Sequence, residues 1–169
     1  MRSLTLLLSL VVPFLLVETW WSRRHEGRLR ARGAFEPPQD VYRWMQVVYP
    51  GMFLAMATEG VLRGGASDAV CAAGIVVFLA AKALKWWAIL SLGELWSFRV
   101  LVVPGAPLVT TGPYRVVRHP NYIALALEAL GAALMWGALW TGPIGAAAFG
   151  LLVWRRIAVE ETALGLRSG

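Results

Sequence analysis

The chain has 169 residues, 58% of them apolar and 15% charged, with a mean hydropathy of +0.60. A soluble domain carries about a quarter charged residues, so the composition excludes an ordinary soluble domain and fits a polytopic membrane protein. The net charge of +6 does not point to nucleic acid, because the basic residues are dispersed between hydrophobic stretches rather than gathered in one patch. Cys71 is the lone cysteine, which rules out a disulfide framework or thiolate site. His25 and His119 are not placed at metal-ligand spacing, so no metal is expected.

Leu4 to Trp21 predicts a first span, long enough to cross about 30 Å of hydrocarbon as a helix. Only Arg2 precedes it, while Arg23, Arg24, Arg28, Arg30 and Arg32 follow. A cleaved signal carries its positive charge in front, so a retained helix with its N-terminus outside is expected. Residues 22–40 form a basic connection, helical at its start and closed by Pro37-Pro38. A second span covers Val41 to Leu62, with a kink expected at Pro50-Gly51, and Arg63-Gly64-Gly65 makes an outside turn. The third span, Ala69 to Leu92, carries Lys82, which needs a partner, and Lys85, which is expected to snorkel. A non-helical stretch with Pro104-Gly105 and Pro107 follows. The fourth span runs from Pro120 to Trp140, Thr141-Gly142-Pro143 turns the chain, and the fifth runs from Ile144 to about Val159. Glu18 and Glu59, near helix ends, are expected at the interface, and Trp20, Trp21, Trp44, Trp140 and Trp154 fit aromatic belts.

The fold class is therefore all-α, a single integral membrane domain over 1–169 with about five transmembrane helices. Residues 22–40, 93–119 and the C-terminus fall on one side. With Arg43 at the adjoining start of the second span, that side holds twelve basic residues, Arg167 among them, against Arg2 and Arg63 on the other. That asymmetry puts the N-terminus outside and the C-terminus in the cytoplasm.

Residues 112–122 read Gly-Pro-Tyr-Arg-Val-Val-Arg-His-Pro-Asn-Tyr, a polar knot placed directly before the fourth span. Pro120 suits the first turn of a helix, where its missing N–H removes no bond, and it drives His119 out of helical geometry into the cap. Free N–H groups and the positive end of the helix dipole then join Arg115 and Arg118, which makes an anion site at the membrane surface. The fifth span returns Arg155-Arg156-Ile157-Ala158-Val159-Glu160-Glu161 to the same face. Arg155 alone reads as a headgroup anchor. Arg156 and Glu160, four residues apart, share a helix face and read as a pair. Glu128 lies on the face of Asn121, two turns deeper, where an acid is costly and suggests a function; the plainer reading pairs it with Lys82 or Lys85.

Gly-Pro-Tyr-Arg-x-x-Arg-His-Pro-Asn-Tyr, followed by Arg-Ile-x-x-Glu-Glu-x-x-Leu over Arg156 to Leu164, resembles the isoprenylcysteine carboxyl methyltransferase family. The approach Leu84-Lys85-Trp86-Trp87-Ala88-Ile89-x-x-Leu92-Gly93 is similar too, so the methyltransferase motif region covers about 80–165, behind N-terminal helices over about 1–79. The resemblance implies S-adenosylmethionine as cofactor in a cytoplasm-facing pocket between the last two helices. It implies that Tyr114, Arg118, His119, Pro120 and Tyr122 line that pocket, with Arg115 and Asn121 of the same knot. Arg156, Glu160 and Glu161 would face the acceptor as catalytic residues, with Glu128 as a further candidate base. Ala124 stands where many relatives carry glycine, and its methyl would narrow the helix contact or the pocket.

A donor with a carboxylate suits an arginine fork, and its adenine suits an aromatic ring. A carboxylate acceptor needs only orientation by Arg156, whereas a phenol or enol would also want a general base. The acceptor is expected to be lipid-like, with a polar head and an apolar tail, such as a prenylated protein end. Arg23-Arg24-His25-Glu26 and Arg32-Gly33-Ala34-x-Glu36 resemble bacterial members associated with long-chain polyketide lipids, which implies a bacterial inner membrane. Two other readings compete: a phospholipid N-methyltransferase, attacking through a neutral amine, and a non-catalytic membrane protein whose arginines bind anionic lipid.

Overall fold

A computed structural model describes residues 2–166. Met1 and residues 167–169 lie outside the described residues, and Arg167 of the basic count is among them. The described chain is helical, and its one β-type pairing is an isolated bridge between Phe35 and Val102.

α1 (Arg2–Leu6) and α2 (Val12–Ala31) form one rod through a π-helical stretch at Leu7–Val11. Pro13 explains the stretch. It has no N–H to give and its ring crowds the carbonyl four residues back, and a widened turn relieves that clash. The rod continues to Ala31, well past the Trp21 boundary expected from the sequence, because arginine is a good helix former and does not stop a helix. α3 (Tyr42–Leu62) carries Pro50 in its interior, which removes one i→i−4 hydrogen bond beside the cavity described below.

α4 (Asp68–Leu92) and α5 (Pro120–Trp136) are packed backbone to backbone. A Cβ on Gly74 would stand 2.3 Å from the Met135 amide nitrogen, and one on Gly131 would stand 2.6 Å from that of Phe78. Ala81, Ala88, Ala124 and Ala132, all fully buried, extend this small-residue seam, the usual way for helices to approach closely in lipid. The Ala124 methyl therefore bears on the helix contact; it lines neither cavity.

α5 ends at Trp136, four residues short of the expected Trp140. Gly137 takes the left-handed conformation (φ 66°, ψ 36°) and the Ala138 N–H reaches back to the Ala133 carbonyl at 2.9 Å, a glycine stop. Thr141-Gly142-Pro143, expected as a turn, instead opens α6 (Thr141–Ala163). Glu59 allows this by accepting the backbone N–H groups of Trp140 at 3.1 Å and Thr141 at 2.8 Å. It thus caps a helix start with a negative charge where the dipole favours one.

Three stretches are long and apolar enough to cross a membrane, Leu4–Ala31, Asp68–Leu95 and Thr141–Ala163. α5, with 17 residues, is shorter than such a span. α3 lacks a sufficiently apolar window despite its 21 residues. Among the described residues there are five long helical rods, and three of them carry the membrane signal.

The largest departure from the sequence reading lies between the helices. Glu18 is fully buried and accepts from Lys82 at 2.8 Å and Lys85 at 2.6 Å. Glu128, also fully buried, lies 3.1 Å from Lys82 and 3.5 Å from Lys85, and its other oxygen accepts the Tyr49 hydroxyl. Two acids and two bases thus close a neutral cluster. Glu18 is not interfacial and Lys85 does not snorkel, because each supplies the charge that the other lacks inside the bundle.

Candidate active site

Segments 22–41 and 93–102 meet at one end of the bundle, where the side chains of α2 and its following loop hold the second segment residue by residue. His25 Nδ1 lies 2.9 Å from the Trp96 carbonyl oxygen, and Ser22 Oγ accepts the Phe98 N–H at 2.8 Å. Asp40 Oδ2 accepts the Val100 N–H at 2.9 Å, and Phe35 exchanges two backbone bonds with Val102. Arg99 lies 2.7 Å from Glu36 and 3.3 Å from Glu26, and its guanidinium covers the Tyr42 ring at 4.6 Å. Burial pushes the Glu36 carboxyl up, but Arg99 and Arg30 together hold it below its usual range.

This ordered strap forms one wall of two cavities. The larger, about 220 Å³, runs into the bundle between Leu15, Met45, Leu125 and Phe149, with Arg23, Lys85 and Arg156 as its charged side chains. Among the described residues no Asp or Glu lines it. The smaller, about 90 Å³, lies among Trp96, Val100, Tyr114, Arg118, His119 and Glu160. Ser97, Asn121, Tyr122 and Arg156 line both and form the partition.

Tyr122 and Arg156 are the centre of that partition. α5 starts where expected, with Pro120 in its first turn and His119 as the cap residue (φ −128°, ψ 59°). That start aims Tyr122 toward α6 and sets Asn121 at the two cavities. The Tyr122 hydroxyl donates to Glu160 Oε2 at 2.6 Å and accepts from Arg156 Nε at 3.0 Å. Arg156 is buried, and its two other nitrogens donate to Asp40 Oδ1 at 3.3 Å and to the Phe98 carbonyl. Arg156 and Glu160 are therefore joined through Tyr122 rather than directly as the helix spacing suggested. The reason is that the guanidinium turns toward the buried Asp40 carboxylate.

His119 Nε2 lies 3.1 Å from Glu161 and its ring sits 5.5 Å from that of Tyr122. Burial, with Glu160 nearby, pushes the Tyr114 phenol well above its usual range, which keeps it a neutral donor. Arg118 is exposed at the small cavity. Of the expected site residues, the structure gathers Tyr114, Arg118, His119, Asn121, Tyr122, Arg156 and Glu160 around one partition. Pro120 is buried in the helix start, Arg115 is exposed and Glu161 stands behind His119; none of them lines a cavity. Glu128 sits behind Tyr49 in the ion cluster. Sequence reasoning missed Asp40, Arg23, Tyr49 and the strap at Ser97 and Phe98. Asp40 follows Pro37-Pro38 in a loop with no motif around it, and only the start of α3 beside it gave a signal.

Residues 73–165 match the isoprenylcysteine carboxyl methyltransferase family. Over 159 residues the chain is 30% identical to the uncharacterized protein YpbQ of Bacillus subtilis, covering 94% of this chain and 95% of that one. It is 25% identical over 144 residues to an uncharacterized protein of Haemophilus influenzae, covering 85% and 84%. It is also 29% identical over 94 residues to protein-S-isoprenylcysteine O-methyltransferase A of Arabidopsis thaliana, covering 52% of this chain and 46% of that one. No solved structure matches the chain. The matched stretch contains both halves of the partition, the knot before α5 and the charged end of α6, and the chain belongs to the isoprenylcysteine carboxyl methyltransferase family.

Proposed function

We propose that the protein is an S-adenosylmethionine-dependent O-methyltransferase of the bacterial inner membrane, acting at the cytoplasmic face on a lipid-like acceptor. The observation that carries this reading is the Tyr122–Arg156 partition, shared by a polar cavity at the helix ends and a deeper cavity among the helices. The residues fit the donor. Asn121 Oδ1 is buried without a hydrogen-bond partner and lines both cavities, so it has an acceptor site free for an amino group. Arg118 and the N-terminus of α5 suit a carboxylate, and Tyr114 and His119 suit a heteroaromatic ring. Bound S-adenosylmethionine supplies a methyl group activated on a sulfonium sulfur.

The rest of the chemistry belongs to the chain. Leu15, Met45, Leu125 and Phe149 take the apolar tail of the acceptor, a prenyl or long polyketide chain. Arg23, Lys85 and Arg156 turn N–H donors toward its head, while the carboxylates that balance Lys85 (Glu18, Glu128) and Arg156 (Asp40) stand behind them and outside the lining. A donor-rich wall of this kind suits an oxygen better than the amine that a phospholipid N-methyltransferase would use. Arg156 orients that oxygen, and alignment supplies most of the help a direct displacement needs. An ionised carboxylate requires nothing more; a phenol or enol would pass its proton to Glu160, the one of the three candidate acids that lines a cavity at the partition.

In this reading all five long helices cross the membrane, the two weaker ones, α3 and α5, packed among the three apolar ones. The basic asymmetry supports an outside N-terminus with the 22–41 and 93–102 segments and the charged end of α6 in the cytoplasm. Cysteines at Ser3 and Ser168, the latter outside the described residues, should differ in labelling by an impermeant reagent on intact cells, with Ser3 labelled. Activity is tested with purified protein in nanodiscs, methyl-labelled donor and N-acetyl-S-farnesylcysteine or a lipid extract. Label released as methanol by base marks a methyl ester, and base-stable label marks an ether or amine. Calorimetry should show donor affinity falling in His119→Ala and Arg118→Ala; unchanged affinity in both would move the donor elsewhere.

A further inference from the structure

We propose that Asp40 is a positioning residue, the counter-charge that fixes the Arg156 guanidinium in the partition between the two cavities. The inference rests on the placement of Arg156 beside the acceptor. The Asp40 side chain is only 3% exposed and both of its oxygens accept hydrogen bonds. Oδ1 accepts the Tyr42 N–H at 3.1 Å and an Arg156 nitrogen at 3.3 Å, and Oδ2 accepts the Val100 N–H at 2.9 Å. The guanidinium is thus gripped on three sides, by the Tyr122 hydroxyl, the Phe98 carbonyl and Asp40. Asp40 is the one carboxylate in direct contact with it among the described residues; Glu160 acts through Tyr122. A buried guanidinium left without a charged partner is costly and free to swing toward any other acceptor.

The position of Asp40 in the chain gives this contact a consequence. It lies outside the family match at residues 73–165, in the loop between α2 and α3. Its backbone neighbours are pinned to the strap by Phe35–Val102 and Glu36–Arg99. Through Asp40, a part of the chain outside that match contacts the guanidinium of the partition. The orientation of the arginine is set jointly by the α2–α3 loop, the strap and α6.

Asp40 also accepts the N–H near the start of α3, so loss of that cap must be separated from loss of the arginine's partner. Protein labelled with ¹⁵N-arginine, in detergent micelles, gives an Arg156 Nε–H signal identified by its absence in Arg156→Lys. In Asp40→Asn, hydrogen exchange at that N–H should accelerate about tenfold or more, because a charge-assisted bond no longer holds the fork. In a thermal double-mutant cycle, Asp40→Asn should lower Tm in the native background and change it little in Arg156→Gln. Turnover of N-acetyl-S-farnesylcysteine should fall in kcat while the KM for the donor holds. Unchanged Nε–H exchange, or the same Tm loss in both backgrounds, would reduce Asp40 to a helix cap and overturn the proposal. If exchange and the cycle behave as stated while the native protein does not methylate the probe, the positioning role stands and the acceptor reading fails.

Discussion

Replacing Lys85 by Met keeps an unbranched stem in the α4–α2 contact and deletes one charge from the buried cluster. In the native protein Glu18 Oε2 lies 2.6 Å from Lys85 and Glu18 Oε1 lies 2.8 Å from Lys82, while Glu128 Oε1 lies 3.5 Å and 3.1 Å from the same two. Each acid touches both bases, so the variant leaves two carboxylates to share one ammonium in a site with at most 5% exposure. Breaking a buried pair by removing one partner costs about 3–5 kcal/mol. For a domain of this size each kcal/mol moves Tm by about 2–4 °C. Lys85→Met should therefore lower the Tm of the purified protein by roughly 6–20 °C, read by intrinsic tryptophan fluorescence in detergent. Lys85→Met with Glu18→Gln restores neutrality around Lys82 and Glu128 and should recover at least half of that loss. A single variant melting within about 2 °C of the native protein, or losses in the pair that simply add, would refute the view that charge balance holds these helices together.

Three further outcomes follow from the geometry. Tyr122→Phe leaves Arg156 Nε and Glu160 without the hydroxyl that joins them; stability should fall by about 1–3 kcal/mol, and single-turnover methyl transfer by about 10²-fold through misplacement of Arg156. Gly131→Ala puts a methyl 2.6 Å from the Phe78 amide nitrogen, and the overpacked α4–α5 seam should lose about 1–3 kcal/mol in denaturant unfolding. Glu36→Gln tests the strap by pH. The folded carboxyl lies below its ordinary 4.5, so its contribution is present above that value and is lost as pH falls through the folded pKa. The Tm gap between the native protein and Glu36→Gln should be full near neutrality and close in acid; a gap that persists at low pH would mean packing rather than charge.

The sequence was most legible where a local rule decides the outcome. Pro120 fixes the start of α5 and makes His119 the cap because a proline tolerates only that place in a helix. The third span ended within a residue of its expected bounds because Gly93 follows a long apolar run. Where the ends depend on a partner far away, the reading failed. Thr141-Gly142-Pro143 carries turn chemistry, yet a helix begins there because Glu59, on another helix, satisfies its first N–H groups. The Arg156–Glu160 pair was read from helix spacing alone. The spacing is real, but a buried guanidinium turns toward whichever carboxylate and carbonyl lie deepest, and these come from residues 40 and 98.

The misread acids show what kind of signal was present but unused. Glu18 was assigned to the interface from its distance to the end of an apolar run, a measure of depth that says nothing about which side of the helix faces the bundle. Charge balance carries that missing direction. Lys82 and Lys85 stand one turn apart on one helix and cannot both be neutralised by Glu128 alone. A second acid was required at similar depth, and Glu18 is the one whose place in the first span allows it. The same reasoning applies at the partition, where Arg156 needed a direct partner once Glu160 was engaged by Tyr122. Asp40 is the acid next to the start of α3, beside the end of α6. In a bundle with so few charges, each buried cation names its anion by elimination. The site lies where that elimination runs through the partition: Asp40 to Arg156 to Tyr122 to Glu160.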